Sequence, residues 1–211
     1  MQAKPSQAEH VKKTFSDLLR AVFQKFLERS AKILDSLGIT PNFITLLGVL
    51  GAVLAAVLIA QGKLLIAGIV AGTASAMDAF DGSLARYQGI KSPFGAFLDS
   101  TLDRYSEGIL CLGLGYYFYS IQRADMVLWV AAAILGSMLV SYTRARGEAA
   151  GYSLHCGLFT RLERTIAFVL SLIFGLVGPG IILIAVLANI TALQRIFSVW
   201  QQEKKQVRED E

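Results

Sequence analysis

Residues 78–103 read DAFDGSLARYQGIKSPFGAFLDSTLD. Two pairs of carboxylates stand in this stretch at helical spacing, Asp78 with Asp81 and Asp99 with Asp103. A step of three or four residues is one helical turn, so each pair projects from one face of its helix. Apolar sequence surrounds both pairs. Like charges brought together in such surroundings repel one another and are costly to desolvate, so the stretch calls for cations. All-oxygen carboxylate ligands suit Mg²⁺ or Mn²⁺. Gly82 lies one turn after Asp78 and Arg86 one turn further, which makes one stripe on the same helix. Gly82 leaves room for a ligand to approach the backbone, and Arg86 offers a planar fork to a phosphate. Gly95 is expected to let the second acidic helix come close to the first, though simple helix packing accounts for it equally well.

The rest of the chain supplies a membrane setting. With 211 residues, 54% hydrophobic, 17% charged and a mean hydropathy of +0.52, it is too apolar for an ordinary soluble domain. The composition predicts a small all-α integral membrane protein, and no nucleic-acid partner is expected. Its two cysteines, Cys111 and Cys156, lack any ligand spacing, so neither a disulfide framework nor a zinc site follows.

From His10 to Leu37, apolar residues such as Phe15, Leu18, Val22 and Phe26 recur at helical spacing among Lys12, Lys13, Arg20, Lys25 and Arg29. That pattern predicts an amphipathic helix in the headgroup region, ended by Gly38 and Pro41; a coiled coil or partner-binding helix is the plainer alternative. Six stretches then meet or approach the roughly 20 apolar residues that a bilayer span needs. They run Asn42 to Ala60, Leu64 to Arg86, Pro93 to Ile121, Asp125 to Ala149, Arg161 to Val177 and Pro179 to Val199, with the last break at Gly178-Pro179-Gly180. The predicted fold is therefore six transmembrane helices preceded by an amphipathic juxtamembrane helix. Its divisions are an interfacial segment 1–40, a membrane domain 41–200 and a charged cytoplasmic tail 201–211. Lys and Arg gather in the N-terminal segment, in the connections with Arg86 and Lys91 and with Arg144, Arg146, Arg161 and Arg164, and in the tail. Six crossings put all of these on one side, so both termini and the acidic cluster are expected to be cytoplasmic in the cell membrane. The polar start of the chain is unlike a cleaved signal peptide.

Asp78, Asp81, Gly82, Ala85, Arg86, Gly95, Asp99 and Asp103 meet D-x2-D-G-x2-A-R-x8-G-x3-D-x3-D at every position. This stretch resembles the signature of the CDP-alcohol phosphatidyltransferases, and eight identities at fixed spacing make the resemblance specific. It implies that an alcohol attacks a CDP-linked lipid, CDP-diacylglycerol or CDP-archaeol, and that CMP leaves. Two metals about 4 Å apart would neutralise the diphosphate and stabilise the leaving phosphate. By the resemblance, Asp78, Asp81 and Asp99 hold the two Mg²⁺ or Mn²⁺ ions. Asp103 binds the second and takes the proton from the attacking hydroxyl. Pro41 and Asn42 are implied in the nucleotide site, although capping of the first span explains them too. Ser92 matches a nucleotide contact of similar enzymes, and a Ser-Pro turn would look the same. A homodimer is expected from the resemblance alone. Glu107, one turn past Asp103, reads as a helix-contact residue, with Arg104 as its partner.

The motif fixes the donor and leaves the acceptor open. Arg144, Arg146, Arg161, Arg164 and Arg195 are expected on the carboxylate side, where an acceptor that already carries a phosphate is the natural match. Positive-inside topology and anionic lipid contacts are the cheaper reading, with two or three of the five touching substrate. LDSTLDR, SYxRARxE and G-x3-R-x-E-R look like the phosphatidylinositol-phosphate and archaetidylinositol-phosphate synthases, so an inositol phosphate is the expected acceptor. Glycerol 3-phosphate is the runner-up. A divalent-cation transporter would need acidic residues near mid-bilayer and inverted repeats, and no second copy of the Asp pairs occurs in the other half. A silent scaffold is disfavoured by the intact motif.

Overall fold

A computed structural model describes residues 15–90, 92–154 and 156–210, with side chains described from Phe26 to Lys205 apart from Ala79. Every regular element among them is helical: α1 (Phe15–Ser36), α2 (Pro41–Ala60), α3 (Leu64–Tyr87), α4 (Pro93–Ser120), α5 (Ala124–Ala149), α6 (Arg161–Ile173) and α7 (Val177–Asp210). The start of the expected amphipathic helix, from His10 to Thr14, lies outside the described residues, as do Lys91 and His155.

Prolines set the starts. Thr40 is extended at φ −92°, ψ 150°, and Pro41, with φ already fixed for a helix, opens α2 in its first turn. Thr40 makes no side-chain cap bond. At α4 the cap is made: Gly95 N donates to Ser92 Oγ at 2.9 Å, and Pro93 takes the first position. The predicted break at Gly178-Pro179-Gly180 is corrected. The chain turns at Gly175, whose φ of +68° favours glycine, and α7 begins at Val177 with Pro179 inside its first turn. The charged tail from 201 does not leave the helix, since α7 runs on to Asp210.

Helices α2, α3, α5 and Val177–Lys205 of α7 are long and apolar enough to cross a bilayer. The other two expected spans differ. The 28-residue α4 carries Asp99, Asp103, Arg104 and Glu107. The 13-residue α6 reaches about 20 Å at 1.5 Å per residue, short of a hydrocarbon core of roughly 30 Å.

Helix α2 lies against both α3 and α4, α5 against α7, and α6 against α3 and α7. Small residues allow this. A Cβ placed on Gly113 of α4 would meet Ala56 O at 2.6 Å, so the α2 and α4 backbones touch there. Ala55, Ile59, Ala71, Leu114, Leu172 and Ile181 belong to one apolar core shared by α2, α3, α4, α6 and α7. Gly95 was expected to permit close approach of α3 and α4, but an added Cβ there would meet only its own cap, Ser92 Oγ at 3.1 Å. Helix α1 buries Leu27 and Ala31; Ala31 packs with Ile44 and Leu84, and Phe26 meets Phe80 edge-on at 5.9 Å. Gln88 Nε2 donates to Asp35 Oδ1 at 2.8 Å and ties the end of α1 to the end of α3.

Candidate active site

The connection between α3 and α4 is short, so the last turns of α3 and the first turns of α4 stand side by side. Carboxylate oxygens of Asp78, Asp99 and Asp103 lie within 4.8 Å of one another. Asp103 is buried, while Asp78 and Asp99 are half-buried. Asp81 is outside this trio. It is buried, and Thr45 Oγ1 donates to its Oδ2 at 2.8 Å while lying 3.1 Å from Pro41 O. The opening of α2 is thereby joined to the first Asp pair.

A guanidinium enters from the far side. Arg161, the first residue of α6, donates to Asp78 Oδ2, and its Nη2 also lies 2.5 Å from Asp103 Oδ1. Its Nη1 is 2.5 Å from Asp103 Oδ2. Arg104 Nη1 stands 3.6 Å from the same Oδ2. Two guanidiniums stand beside the three carboxylates of the trio, which keeps an excess of negative charge. Asp99 Oδ1 is buried without a hydrogen-bond partner. A buried carboxylate oxygen in that position is costly unless a cation or donor meets it. The trio therefore fits a divalent ion on two grounds, an all-oxygen donor set and an oxygen aimed inward without a partner.

The stripe on α3 is realised. Among the described residues, Arg86 Nη1 alone comes within 4 Å of a Cβ added to Gly82, at 3.6 Å, which leaves room on the face of α3 between Asp78 and Arg86. Asn42, Arg86 and Ser92 are exposed and Pro41 is half-buried. Ser92 Oγ is engaged in its cap.

The five arginines do not all reach the aspartates. Arg161 alone reaches the carboxylates. Arg144 pairs with Glu148 at 2.8 Å on the surface of α5. Arg146 is exposed beside a cleft of about 230 Å³ that Tyr142, Tyr152 and Arg195 also line. Arg195 is buried, donating to Val140 O and, through Nε, to Cys156 O at 3.1 Å. Arg164 is buried against Glu107, which corrects the expected Glu107–Arg104 pairing. Glu107 follows Asp103 by one turn and so faces α6, while Arg104 turns back to Ser100 O and Asp103.

Several residues at the site carry no mark in the motif. Ser75 precedes Asp78 and Ser106 follows Asp103 by three residues each, and both line two small cavities beside Arg161, of about 30 and 50 Å³. The turn rule that groups the aspartates also finds these serines and Thr45, four residues after Pro41. Cys111 is buried and Cys156 exposed, and both are free.

The sequence model of the CDP-alcohol phosphatidyltransferase family matches residues 38–200. The chain belongs to that family. Among relatives of this CDP-alcohol phosphatidyltransferase, an archaetidylinositol phosphate synthase from Pyrococcus horikoshii is 38% identical over 182 residues, covering 85% of this chain and 93% of the relative. A phosphatidylinositol phosphate synthase from Corynebacterium glutamicum is 37% identical over 161 residues, covering 75% and 73%. The crystal structure of Mycobacterium tuberculosis phosphatidylinositol phosphate synthase with CDP-DAG bound superposes with a TM-score of 0.78 at 30% identity, over 83% of this chain and 94% of that one. Its complex with manganese and citrate gives 0.77 at 31% identity, over 82% and 88%. The CDP-alcohol phosphatidyltransferase described here is accordingly a phosphotransferase of phospholipid biosynthesis and a membrane protein.

Proposed function

We propose that the protein moves a phosphatidyl group from a CDP-linked lipid to an inositol phosphate, releasing CMP. The observation that carries this reading is the meeting of Asp78, Asp99 and Asp103 oxygens within 4.8 Å, with Arg161 laid against two of them. Carboxylates that would hold divalent cations, with a guanidinium beside them, supply the positive charge that a reaction between two phosphate-bearing substrates needs. The relatives named for inositol phosphate chemistry support the choice of acceptor.

Asp78, Asp81, Asp99 and Asp103 would hold two Mg²⁺ or Mn²⁺ ions. When bound, such ions neutralise the diphosphate and favour departure of CMP. The residues do the rest. Asp103 takes the proton from the attacking hydroxyl, for which hydrogen-bond reach is the requirement. Thr45 orients Asp81 by its hydroxyl. Gly82 keeps the α3 face open to the nucleotide, Arg86 binds a donor phosphate, and Pro41, Asn42 and Ser92 border the nucleotide. Arg161 meets the phosphate of the acceptor, with Arg144 and Arg146 at the rim of the approach and Arg164 and Arg195 behind it.

In the membrane, α4 and α6 join the four long apolar helices to make six crossings, α4 with its charges turned inward. Helix α1 lies along the headgroups with its basic side toward anionic lipid. Both termini and the site face the cytoplasm, residues 41–200 form the membrane domain between segment 1–40 and tail 201–211, and two copies associate as a homodimer.

Purified protein given CDP-diacylglycerol or CDP-archaeol, Mg²⁺ or Mn²⁺ and a series of alcohols tests the reading through CMP release. Release with inositol phosphate is expected. Release with glycerol 3-phosphate alone would reassign the acceptor, and none with any alcohol would end the proposal.

A further inference from the structure

Behind the carboxylate cluster lies a second ion pair that the transfer itself does not use. Glu107 stands one turn after Asp103 on α4, and Arg164 one turn after Arg161 on α6. The two helices therefore face each other through two rungs, Asp103 with Arg161 and Glu107 with Arg164. The inner rung is bidentate: Arg164 Nε donates to Glu107 Oε1 at 2.8 Å and Nη2 to Oε2 at 3.1 Å. Arg164 is only 2% exposed, and Glu107 22%. A cavity of about 50 Å³ touches Asp103, Glu107, Arg161 and Arg164 together, so the two rungs border one space.

Helix α6 rests mainly on α3 and α7, not on α4. It is short, at 13 residues, and the described residues before it, 150–154 and 156–160, are not helical. The ion pairs are its polar ties to α4, beside the apolar core that both helices share. A guanidinium held through two parallel bonds to a carboxylate admits one relative orientation. A buried pair of this kind adds little net stability against an apolar pair of equal size, so its use lies in geometry.

We propose that Glu107 is a positioning residue for the acceptor. Through Arg164 it fixes the rotation and height of α6, and so places the Arg161 guanidinium three residues earlier against Asp78 and Asp103. The inference rests on the reading of Arg161 as the ligand of the acceptor phosphate. Without the inner rung α6 can turn or slide, and a displacement of about 1 Å at a positioned group costs on the order of 100-fold in the reaction it serves. The residues read as bordering the donor, Pro41, Asn42, Gly82, Arg86 and Ser92, lie on α2, α3 and at the start of α4 and carry neither rung.

Two variants separate this from a purely structural role. Glu107→Gln keeps the shape of the side chain and removes its charge; Arg164→Lys keeps the charge and removes the fork. Each is purified in detergent and compared with the wild type in CMP release, using CDP-diacylglycerol, Mn²⁺ and the phosphorylated alcohol that the wild type accepts. The expected result is a KM for the acceptor raised about 10-fold or more in both, with the KM for CDP-diacylglycerol within about twofold of wild type. An unmoved acceptor KM would overturn the inference, as would equal rises in both KM values. Loss of folded protein in both variants, judged by gel filtration, would also overturn it, because the pair would then serve the fold alone. Wild-type protein that releases no CMP removes the proposed function and this inference with it; wild-type turnover with unchanged variants removes the inference alone.

Discussion

Thr45 donates its hydroxyl to Asp81 Oδ2 at 2.8 Å and so ties the first turns of α2 to the last turns of α3. Both residues are buried. Thr45→Val keeps the volume and removes the donor, leaving a buried carboxylate oxygen without that partner. The expected cost is about 1–3 kcal/mol, read as a lower midpoint of thermal unfolding in detergent. CMP release should fall as well, and Thr45→Ser should recover most of both.

Asp99 and Asp103 enter the carboxylate trio from the same helix, but with different work assigned to them. Asp103→Asn is expected to lower kcat by about 10²–10⁴, the usual contribution of a proton acceptor, together with that of a lost ligand. Asp99→Asn should weaken Mn²⁺ binding measured by electron paramagnetic resonance on the protein without substrate. EDTA should abolish CMP release, and added Mg²⁺ or Mn²⁺ should restore it. Undiminished turnover in excess EDTA would remove the metal from the reading.

Arg161 and Arg195 make opposite predictions, although both were expected to meet the acceptor. Arg161 lies against Asp78 and Asp103, so Arg161→Ala should raise the KM for the acceptor about 10-fold or more and leave the KM for the CDP-lipid nearly unchanged. Arg195 serves two main-chain carbonyls, Val140 O and Cys156 O. Arg195→Ala leaves them without their donor and should lower the unfolding midpoint, at about 1–3 kcal/mol for buried groups left unpaired. Equal rises in the KM for both substrates in Arg161→Ala would count against the acceptor assignment.

Gly113 permits the contact between α2 and α4. A methyl there would meet Ala56 backbone atoms at 2.6 and 2.8 Å, which cannot move aside as a flexible side chain can. Gly113→Ala should therefore separate the helices and destabilise the protein by about 1–3 kcal/mol. Activity should fall in step, because Asp99 and Asp103 ride on α4. Gly82→Ala, whose methyl would make an ordinary contact with the Arg86 side chain at 3.6 Å, should leave the unfolding midpoint unchanged and raise the KM for the CDP-lipid.

The sequence carried what repeats locally. Periods and turn residues placed the starts of α3 and α4 and the ends of α2, α3 and α5 within a residue, and helical spacing brought Asp78 into reach of Asp99 and Asp103. Where it erred, the reason was context. Gly178-Pro179-Gly180 looked like a break, but a proline in a first turn starts a helix as readily as it ends one, and Gly175 already supplied the reversal. The arginines show the limit more clearly. Charge and topology placed them on one side of the membrane, but only tertiary packing decides that Arg161 meets carboxylates, Arg164 meets Glu107 and Arg195 meets main-chain oxygens. Nothing in the spacing of residues 103 to 107 names a partner 57 residues away.

The acidic side chains come from one helical hairpin, but the guanidinium that balances Asp103 arrives 58 residues later. As the chain is synthesised, the hairpin with all four carboxylates is complete before α6 exists. Until then the growing polypeptide lacks the Arg161 guanidinium, and the hairpin's own basic residues are Arg86, Lys91 and Arg104. If the carboxylates hold divalent ions as proposed, those ions serve insertion as well as turnover, and their withdrawal during cell-free synthesis into vesicles should lower the yield of inserted protein.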